Sequence, residues 1–301
     1  MAPSAKTNTP NRQFRESISP LTSRDNRWLK RFRASLGGEE DKDGIVGVEG
    51  VRLVEAALRS GLAVEALLVS ASGERHLKRL SGSITPGLQI LRTTDRLFAG
   101  IADTQTPQGV AALVQPKIAK VEDLVKGIAL VVVLAGVQDP GNVGTILRAA
   151  EAFGATGAAT CSAGGGTANP LASKALRASA GSALRLPIVR GMSCAILLAQ
   201  LRVSGVKLYA GVADGDDGAG GRSGIAPPLL RPWEADWKSP VALLIGNEGA
   251  GLDADIVRTC DRRVSIPQRD SGTTNGVESL NAAMAGTVLL YEAMRQRGGV
   301  T

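Results

Sequence analysis

The run at residues 128–137, IALVVVLAGV, is the strongest constraint that this chain places on its own fold. It carries no charge, is rich in β-branched valine, and leads at once into a polar, glycine-bearing turn (138–144) and a helical pattern (145–153). A strand that is apolar on both faces belongs inside a sheet covered on both sides, the environment of a parallel α/β sheet. Similar text recurs downstream. A strand near 157–161, a helix near 170–180, the short strand LPIV, a helix over 194–203 and the strand VKLYAGV follow in order. Then come VALLIG, a short helix, RVSIP and a long apolar helix from Val277 to about Met294. This βαβ succession predicts an open parallel sheet with ligands bound beyond the C-terminal ends of its strands.

Upstream, residues 26–116 read as a smaller α/β domain. A short basic helix, NRWLKRFRASL (26–36), offers Trp28, Leu29 and Phe32 for docking. After it come a helix VRLVEAALRSG ending at Gly61, a strand VEALLVS, a helix near 74–80, a strand LQILR, a helix near 95–99, and a strand GVAALVQ closed by Pro116. Residues 117–127 read as a charged connector or short helix and 128–301 as the second domain. Residues 1–25 are rich in Ser, Thr, Pro, Asn and Arg with little to bury, and read as a flexible basic tail.

Charge separates these regions. The chain carries a net +7, and residues 1–36 hold eight cations against Glu16 and Asp25 alone, so six of the seven excess charges lie there. Basic residues interleaved with Phe14, Trp28 and Phe32 suit a nucleic-acid partner, and Arg24, Arg27, Lys30, Arg31 and Arg33 are the candidate RNA contacts. Other classes are disfavoured. Cys161, Cys194 and Cys260 are odd in number and lack a CxxC pair, so neither a disulfide framework nor a zinc site is expected, and a reducing cytoplasm is the natural compartment. The longest apolar run is far below the roughly 20 residues of a membrane helix, and the N-terminus lacks the apolar segment of a secretory signal. His76, the single histidine, reads as a surface residue. In DGDDGAGGRSG (214–224) a calcium loop would need glycine where Ala219 stands and glutamate where Ile225 stands, so a surface insertion is expected.

Three polar, glycine-rich clusters each follow an apolar strand. The first, AGVQDPGNVGTILR (135–148), makes a strand–turn–helix anion site, but neither G-x-G-x-x-G nor GK[ST] is present. Asn142 and Arg148 stand either as helix cap and solvated side chain or as an amide and a guanidinium facing one crevice. The second, LIGNEGAGL (244–252), lets a ligand approach the backbone closely and places Asn247 and Glu248 at a strand end, where a tight turn with an Asn cap is the plainer reading. The third, IPQRDSGTTNGVESLN (266–281), ends in Ser279 and Asn281 before an Ala- and Gly-rich apolar helix, suited to simple capping or to a dimer seam.

Together, DPGNVGTILRAAEAFGA, LLIGNEGAGL and IP…VESLNAAMAGTVLLYEA resemble the three motifs of the SpoU-type (TrmH-like) RNA ribose methyltransferases of the SPOUT class. KALRASAG followed by Leu186-Pro187 is similar to the text between the first two motifs. VEGVRLVEAAL, TPQGVAALV and Arg24-Asp-Asn-Arg-Trp-Leu-Lys are similar to the small substrate domain of ribosomal RNA members and the segment before it. The resemblance implies a deep trefoil knot in the parallel-sheet domain, S-adenosyl-L-methionine as cofactor, a homodimer formed through the C-terminal domain, and no metal. It also implies a polar catalytic set of Asn142, Arg148, Glu248, Ser279 and Asn281. Cofactor contacts are expected around Gly246, Ile266 and Leu280, with Leu244, Asn247 and Gln268 beside them. The segment 267–278 is longer than the commonest spacing in the family.

The reaction so implied is methylation of a ribose 2′-OH, with 23S ribosomal RNA preferred as substrate. Arg148 would hold the adjacent phosphate and stabilise the developing alkoxide, since a guanidinium, with a pKa above about 12, is a costly base. The proton would leave through Ser279, water or phosphate. Asn142 and Asn281 would fix geometry, and Glu248 would orient Arg148 or a neighbouring loop. Two rivals are the same chemistry on tRNA and a non-catalytic RNA-binding or ribosome-assembly factor; a dinucleotide oxidoreductase lacks its glycine fingerprint.

Overall fold

The computed structural model describes residues 15–16, 20–38, 40–162, 166–213, 226–268 and 279–298. The expectations for the rest of the N-terminal tail, for the 214–224 insertion and for 269–278 fall outside the described residues. The chain divides into two units, Met1–Gln115 and Pro116–Thr301.

The first unit runs β1 (Arg15–Glu16), α1 (Arg27–Leu36), β2 (Val46–Glu49), α2 (Val51–Arg59), β3 (Ala63–Ser70), α3 (Leu77–Leu80), β4 (Gln89–Thr93), α4 (Asp95–Ala99) and β5 (Val110–Gln115). Its five strands lie in the order β1-β4-β3-β5-β2, with β5 antiparallel to both neighbours and the other pairings parallel. Side chains alternate across a strand. Ala66 and Leu68 of β3 therefore share one face with Leu91, Ala111 and Leu113, where α1 covers them with Leu29, Phe32 and Leu36. Those three recur at i, i+3 and i+7, a single helical stripe, and each contributes roughly 1.5–3 kcal/mol on burial. Asn26 caps the helix, its side chain accepting from the Trp28 N–H.

Two expectations need correcting here. The 1–25 tail is not uniformly free: Arg15–Glu16 pairs in parallel with Gln89–Ile90, and the Leu21 N–H donates to Arg92 O at 2.7 Å. An edge strand offers unpaired backbone groups to any extended chain, whatever its composition. Phe32, expected among the RNA-facing aromatics, is fully buried.

The second unit runs α5 (Val121–Leu124), β6 (Leu130–Ala135), α6 (Pro140–Ala152), β7 (Gly157–Ser162), α7 (Ser173–Ala178), α8 (Ser182–Arg185), β8 (Ile188–Ser193), α9 (Cys194–Val203), β9 (Lys207–Val212), β10 (Leu229–Leu230), β11 (Val241–Ile245), α10 (Ala254–Thr259), β12 (Arg262–Ser265) and α11 (Ala282–Gln296). The sheet order is β10-β12-β9-β11-β6-β7-β8, and every pairing is parallel. All six residues of β6 are buried, as its sequence demands. Val131, Val133, Leu208, Ala210, Ala242 and Leu244 pack with α5 and α9 in one apolar cluster. On the other face α6 and α11 pack together. Close approach is built in at Gly144, where a Cβ would fall 2.3 Å from Ala175 O of α7.

Of the two readings of 117–127, the short helix forms as α5, where Val121 and Leu124, three residues apart, bury themselves in this unit's core. Helix α6 begins at Pro140, five residues before the expected start; Pro occupies the first helical turn and the Asp139 side chain caps it by accepting from the Gly141 N–H. Helix α11 begins at Ala282, later than expected, with Asn281 as its cap. The cysteine reading also fails in part: Cys161, at the end of β7, and Cys194, which opens α9 after β8, form a disulfide, leaving Cys260 free and buried. Parallel pairing of β7 with β8 brings together residues 33 apart in sequence, a relation that spacing does not reveal.

Candidate active site

The adjacent strands β12, β9 and β11 end on the same edge of the sheet, and the segments beyond them, with the start of α11, build one pocket of about 140 Å³ that opens to solvent. Gly246, Asn247, Ile266, Gln268, Ser279 and Leu280 line it, together with Glu248 and the small residues Gly249, Gly251 and Gly286. Glycine is required at 246 because a Cβ there would lie 2.3 Å from the Gly251 carbonyl carbon. The loop closes on itself through Asn247 N–H to Gly251 O at 2.8 Å and Gly251 N–H to Asn247 O at 3.0 Å.

Asn247 and Glu248 then tie this loop to the one after β6. The Asn247 Oδ1 accepts from the Gly249 and Ala250 N–H groups at 2.9 Å each, and its Nδ2 donates to Gly136 O at 3.0 Å. Glu248 accepts from the backbone N–H of Gln138 at 3.2 Å, of Asp139 at 3.1 Å, and from Asn142 Nδ2 at 2.9 Å. Partial burial opposes ionisation of this carboxyl, but the bonds from Asn142 and the backbone outweigh it and hold its pKa below the usual glutamate value. Asn142 Oδ1 in turn accepts from Asn281 Nδ2 at 3.2 Å, while Asn281 Oδ1 caps α11 through Ala283 N–H at 2.8 Å. The cap and the functional readings of Asn281 thus coexist, one on each end of its amide.

The predicted catalytic set is gathered in part. Asn142, Glu248 and Asn281 form one hydrogen-bonded relay, and Glu248 and Ser279 reach the pocket. Glu248 accepts from the backbone of the loop after β6 at Gln138 and Asp139 and makes no ion pair with Arg148. Arg148 lies apart, on the exposed stripe of α6 with Thr145 and Ala152, and makes no ion pair among the described residues. Of the expected cofactor residues, Leu244 is a correction: alternation along β11 turns its side chain into the α9-side core, away from the pocket. Val212, the last residue of β9, and Ala213 just after it line the pocket and were not singled out from sequence; their place at a strand's C-terminal end was the available signal. Lys174 was likewise passed over. Its Nζ lies 3.0 Å from Asp139 Oδ1, and it holds that capping carboxyl below the usual aspartate range.

The basic helix of the first unit is less free than its charge suggests. Arg31 is bound by Asp41 at 2.8 Å, Asp43 at 3.6 Å and Glu65, and Lys30 pairs with Asp25 at 2.9 Å. The hydrogen bond to Asp41 raises the Arg31 pKa further. Arg24, Arg27 and Arg33 have no ion pair among the described residues. The described residues contain no group of three or more His, Cys, Asp or Glu positioned to hold a metal, and no described helix is long and apolar enough to cross a membrane.

A pocket beyond the C-terminal edge of a seven-stranded parallel sheet, walled by glycine loops and braced by a carboxylate–amide relay, is the arrangement of a SPOUT-class methyltransferase. Solved structures support that class: the methyltransferase AviRb of Streptomyces viridochromogenes in complex with the cofactor AdoMet matches at TM-score 0.73 and 29% identity, covering 91% of this chain and 100% of that one. An AdoMet-bound rRNA methyltransferase of Sinorhizobium meliloti matches at 0.75 and 28%, covering 94% and 98%. The profile of the SpoU rRNA Methylase family matches residues 129–291, and that of the MRM3-like substrate binding domain matches 39–112. The 23S rRNA (guanosine(2553)-2′-O)-methyltransferase RlmP of Bacillus subtilis is 32% identical over 84% of this chain and 90% of its own length. The 23S rRNA (guanosine-2′-O-)-methyltransferase RlmB of Xanthomonas campestris is 30% identical over 92% and 99%. The chain belongs to the SpoU rRNA methylase family. It is accordingly a methyltransferase that uses S-adenosyl-L-methionine, and the family implies the trefoil knot.

Proposed function

We propose that this protein methylates a ribose 2′-OH of 23S ribosomal RNA in the cytoplasm, as a homodimer joined through its second unit. The observation that carries this reading is the Glu248–Asn142–Asn281 relay at the rim of the pocket. Pure RNA binding has no use for three polar side chains fixed against one another beside an apolar, glycine-walled pocket.

The pocket's residues fit the cofactor. Ile245, Val264, Ile266, Leu280 and Leu289 supply apolar walls for a purine, while Gly246 and Gly249, lacking side chains, let it approach the backbone closely. When bound, the cofactor supplies a methyl already activated by its sulfonium. The chain must then position a hydroxyl and accept the loss of its proton. Asn142 and Asn281 hold each other and Glu248 in one orientation, so alignment is present before substrate arrives, and alignment alone can supply several kcal/mol of barrier reduction. Arg148, exposed and without an ion pair among the described residues, is the cation we assign to hold a phosphate and stabilise the developing alkoxide. Ser279 is the side chain nearest in kind to a proton relay.

The dimer reading is supported by Met284, Val288 and Tyr291, an exposed apolar stripe at i, i+4 and i+7 of α11. The decisive experiment incubates the protein with radiolabelled S-adenosyl-L-methionine and separated 23S, 16S and transfer RNA, then maps ribose methylation by resistance to alkaline hydrolysis. One new 2′-O-methyl in 23S RNA is expected. Label confined to tRNA, or carried on a base, overturns the substrate or the reaction assigned here.

A further inference from the structure

Helix α1 presents a second feature that its charge alone does not explain. Leu29, Phe32 and Leu36 seat it immovably on the sheet of the first unit, each 2% exposed or less. Trp28, by contrast, is only half-buried, with its inner edge against the core and its outer side open. The Arg27 guanidinium lies 5.6 Å from the centre of the indole ring. Arg27, Trp28, Arg31 and Glu65 together line a cleft of about 460 Å³ of partly open space.

The two arginines of this cleft differ. Arg31 is fixed by Asp41, Asp43 and Glu65, so its charge is neutralised and it serves to hold the Glu65 carboxylate in place. It binds that carboxylate through Oε1, and Oε2 makes no hydrogen bond among the described residues. Arg27 is exposed, with no carboxylate on it. A cleft with an aromatic floor, a movable cationic roof and a fixed carboxylate at its side matches an unstacked base: a π-face to stack, and an amino edge to donate to oxygen.

We propose that Trp28, Arg27 and Glu65 form a receptor for one unpaired nucleobase of the RNA substrate, with Arg24 on the neighbouring phosphate. The inference rests on the reading of the protein as an RNA enzyme, and it replaces a uniform basic grip by a stacking site. The base lies on the indole, and Arg27 lifts from 5.6 Å to about 7 Å, the thickness of two van der Waals contacts, to close over it. Glu65 accepts from an exocyclic amino group, favouring adenine, guanine or cytosine over uracil. Arg31 does not touch RNA.

The test uses the full chain carrying Trp233→Phe, which leaves the buried Trp237 and the half-buried Trp28 as fluorophores. Single-stranded oligo(A) and oligo(U) of ten nucleotides are titrated, followed by emission and, with a labelled oligonucleotide, by anisotropy. Oligo(A) is expected to quench the emission, and oligo(U) to bind more weakly. Trp28→Leu, which keeps the apolar contact beneath the ring but removes the π-face, should weaken oligo(A) binding by about 10-fold or more, whereas Trp28→Phe should stay within about 3-fold of the parent. Glu65→Gln should reduce the preference for oligo(A) over oligo(U). Equal affinities for Trp28→Leu and Trp28→Phe, or binding without quenching, overturn the receptor. Methyl transfer to ribosomal RNA is assayed on the same samples: wild-type protein that transfers none refutes the enzymatic reading, while the quenching result stands on its own.

Discussion

The relay at the edge of the second unit and the basic face of α1 in the first are built on opposite plans. In the relay a single carboxylate is surrounded by neutral donors, and each polar atom has a partner before any ligand arrives. On α1 cations outnumber acids, yet the most buried of them, Arg31, is consumed by three carboxylates, and only Arg24, Arg27 and Arg33 keep their charge uncompensated among the described residues. The difference teaches that preorganised chemistry and polymer capture need opposite electrostatics. A site that must align atoms satisfies its groups in advance, whereas a site that releases counterions on binding must leave charge unpaired.

The sharpest break of this comparison is Arg148→Ala, which should cut methyl transfer by roughly 100- to 1,000-fold while cofactor affinity, by calorimetry, stays within a few-fold. Full activity in that variant would sink the role given to Arg148. Next comes Glu248→Ala. It leaves the Gln138 and Asp139 N–H groups and the Asn142 amide without their acceptor, at a cost of about 2–3 kcal/mol, read as a loss of about 30-fold or more in kcat/KM. A near-normal value would show the relay to be ornamental.

On the other side of the comparison, Arg24→Gln should lower the slope of log affinity against log salt by about 0.7, one single-strand phosphate contact's worth. Arg31→Gln should leave that slope unchanged and lower the thermal stability of the first unit, since it strands Asp41 beside Glu65. Were the two variants to behave alike, the division of α1 into free and structural cations would fail.

The smallest effect concerns Asp236, whose carboxyl is held down to about 2 by hydrogen bonds from Ser239 and Lys207. A folded-state pKa below the unfolded one stabilises at neutral pH, and the contribution is lost as pH falls from the ordinary aspartate value towards about 2. The side chain is about half exposed, so solvent screening keeps the contribution small. Ser239→Ala should move the acid-unfolding midpoint slightly upward in pH; a downward shift would reverse the sign argued here.

Much of this was legible before the structure. The apolar run at β6 announced a sheet covered on both faces because no charge interrupts it, and the three polar clusters announced a site because each follows such a strand. Helix starts were less legible. Asp139-Pro140 begins α6 well before the apolar periodicity does, since a cap and a proline set the start through local geometry that the pattern of burial does not record. The disulfide and the Leu21 pairing escaped because each depends on which strands are neighbours. Arg297 escaped for the same reason. It donates to the carbonyls of Trp237, Ile128, Ala129 and Ser239, clamping the end of α11 to segments that are distant in sequence.

By itself the sequence determined that this chain forms α/β units with polar loops at strand ends and that its positive charge gathers near the N-terminus, since periodicity and composition are local properties. Only the tertiary structure decided that Glu248 reaches Asn142 across 106 positions, that Asn142 reaches Asn281 across 139, and that Arg31 spends its charge on Asp41 and Glu65. Those contacts follow from strand order and helix packing, and a hydrogen bond or ion pair forms only where the fold has already brought its two ends within about 3 Å.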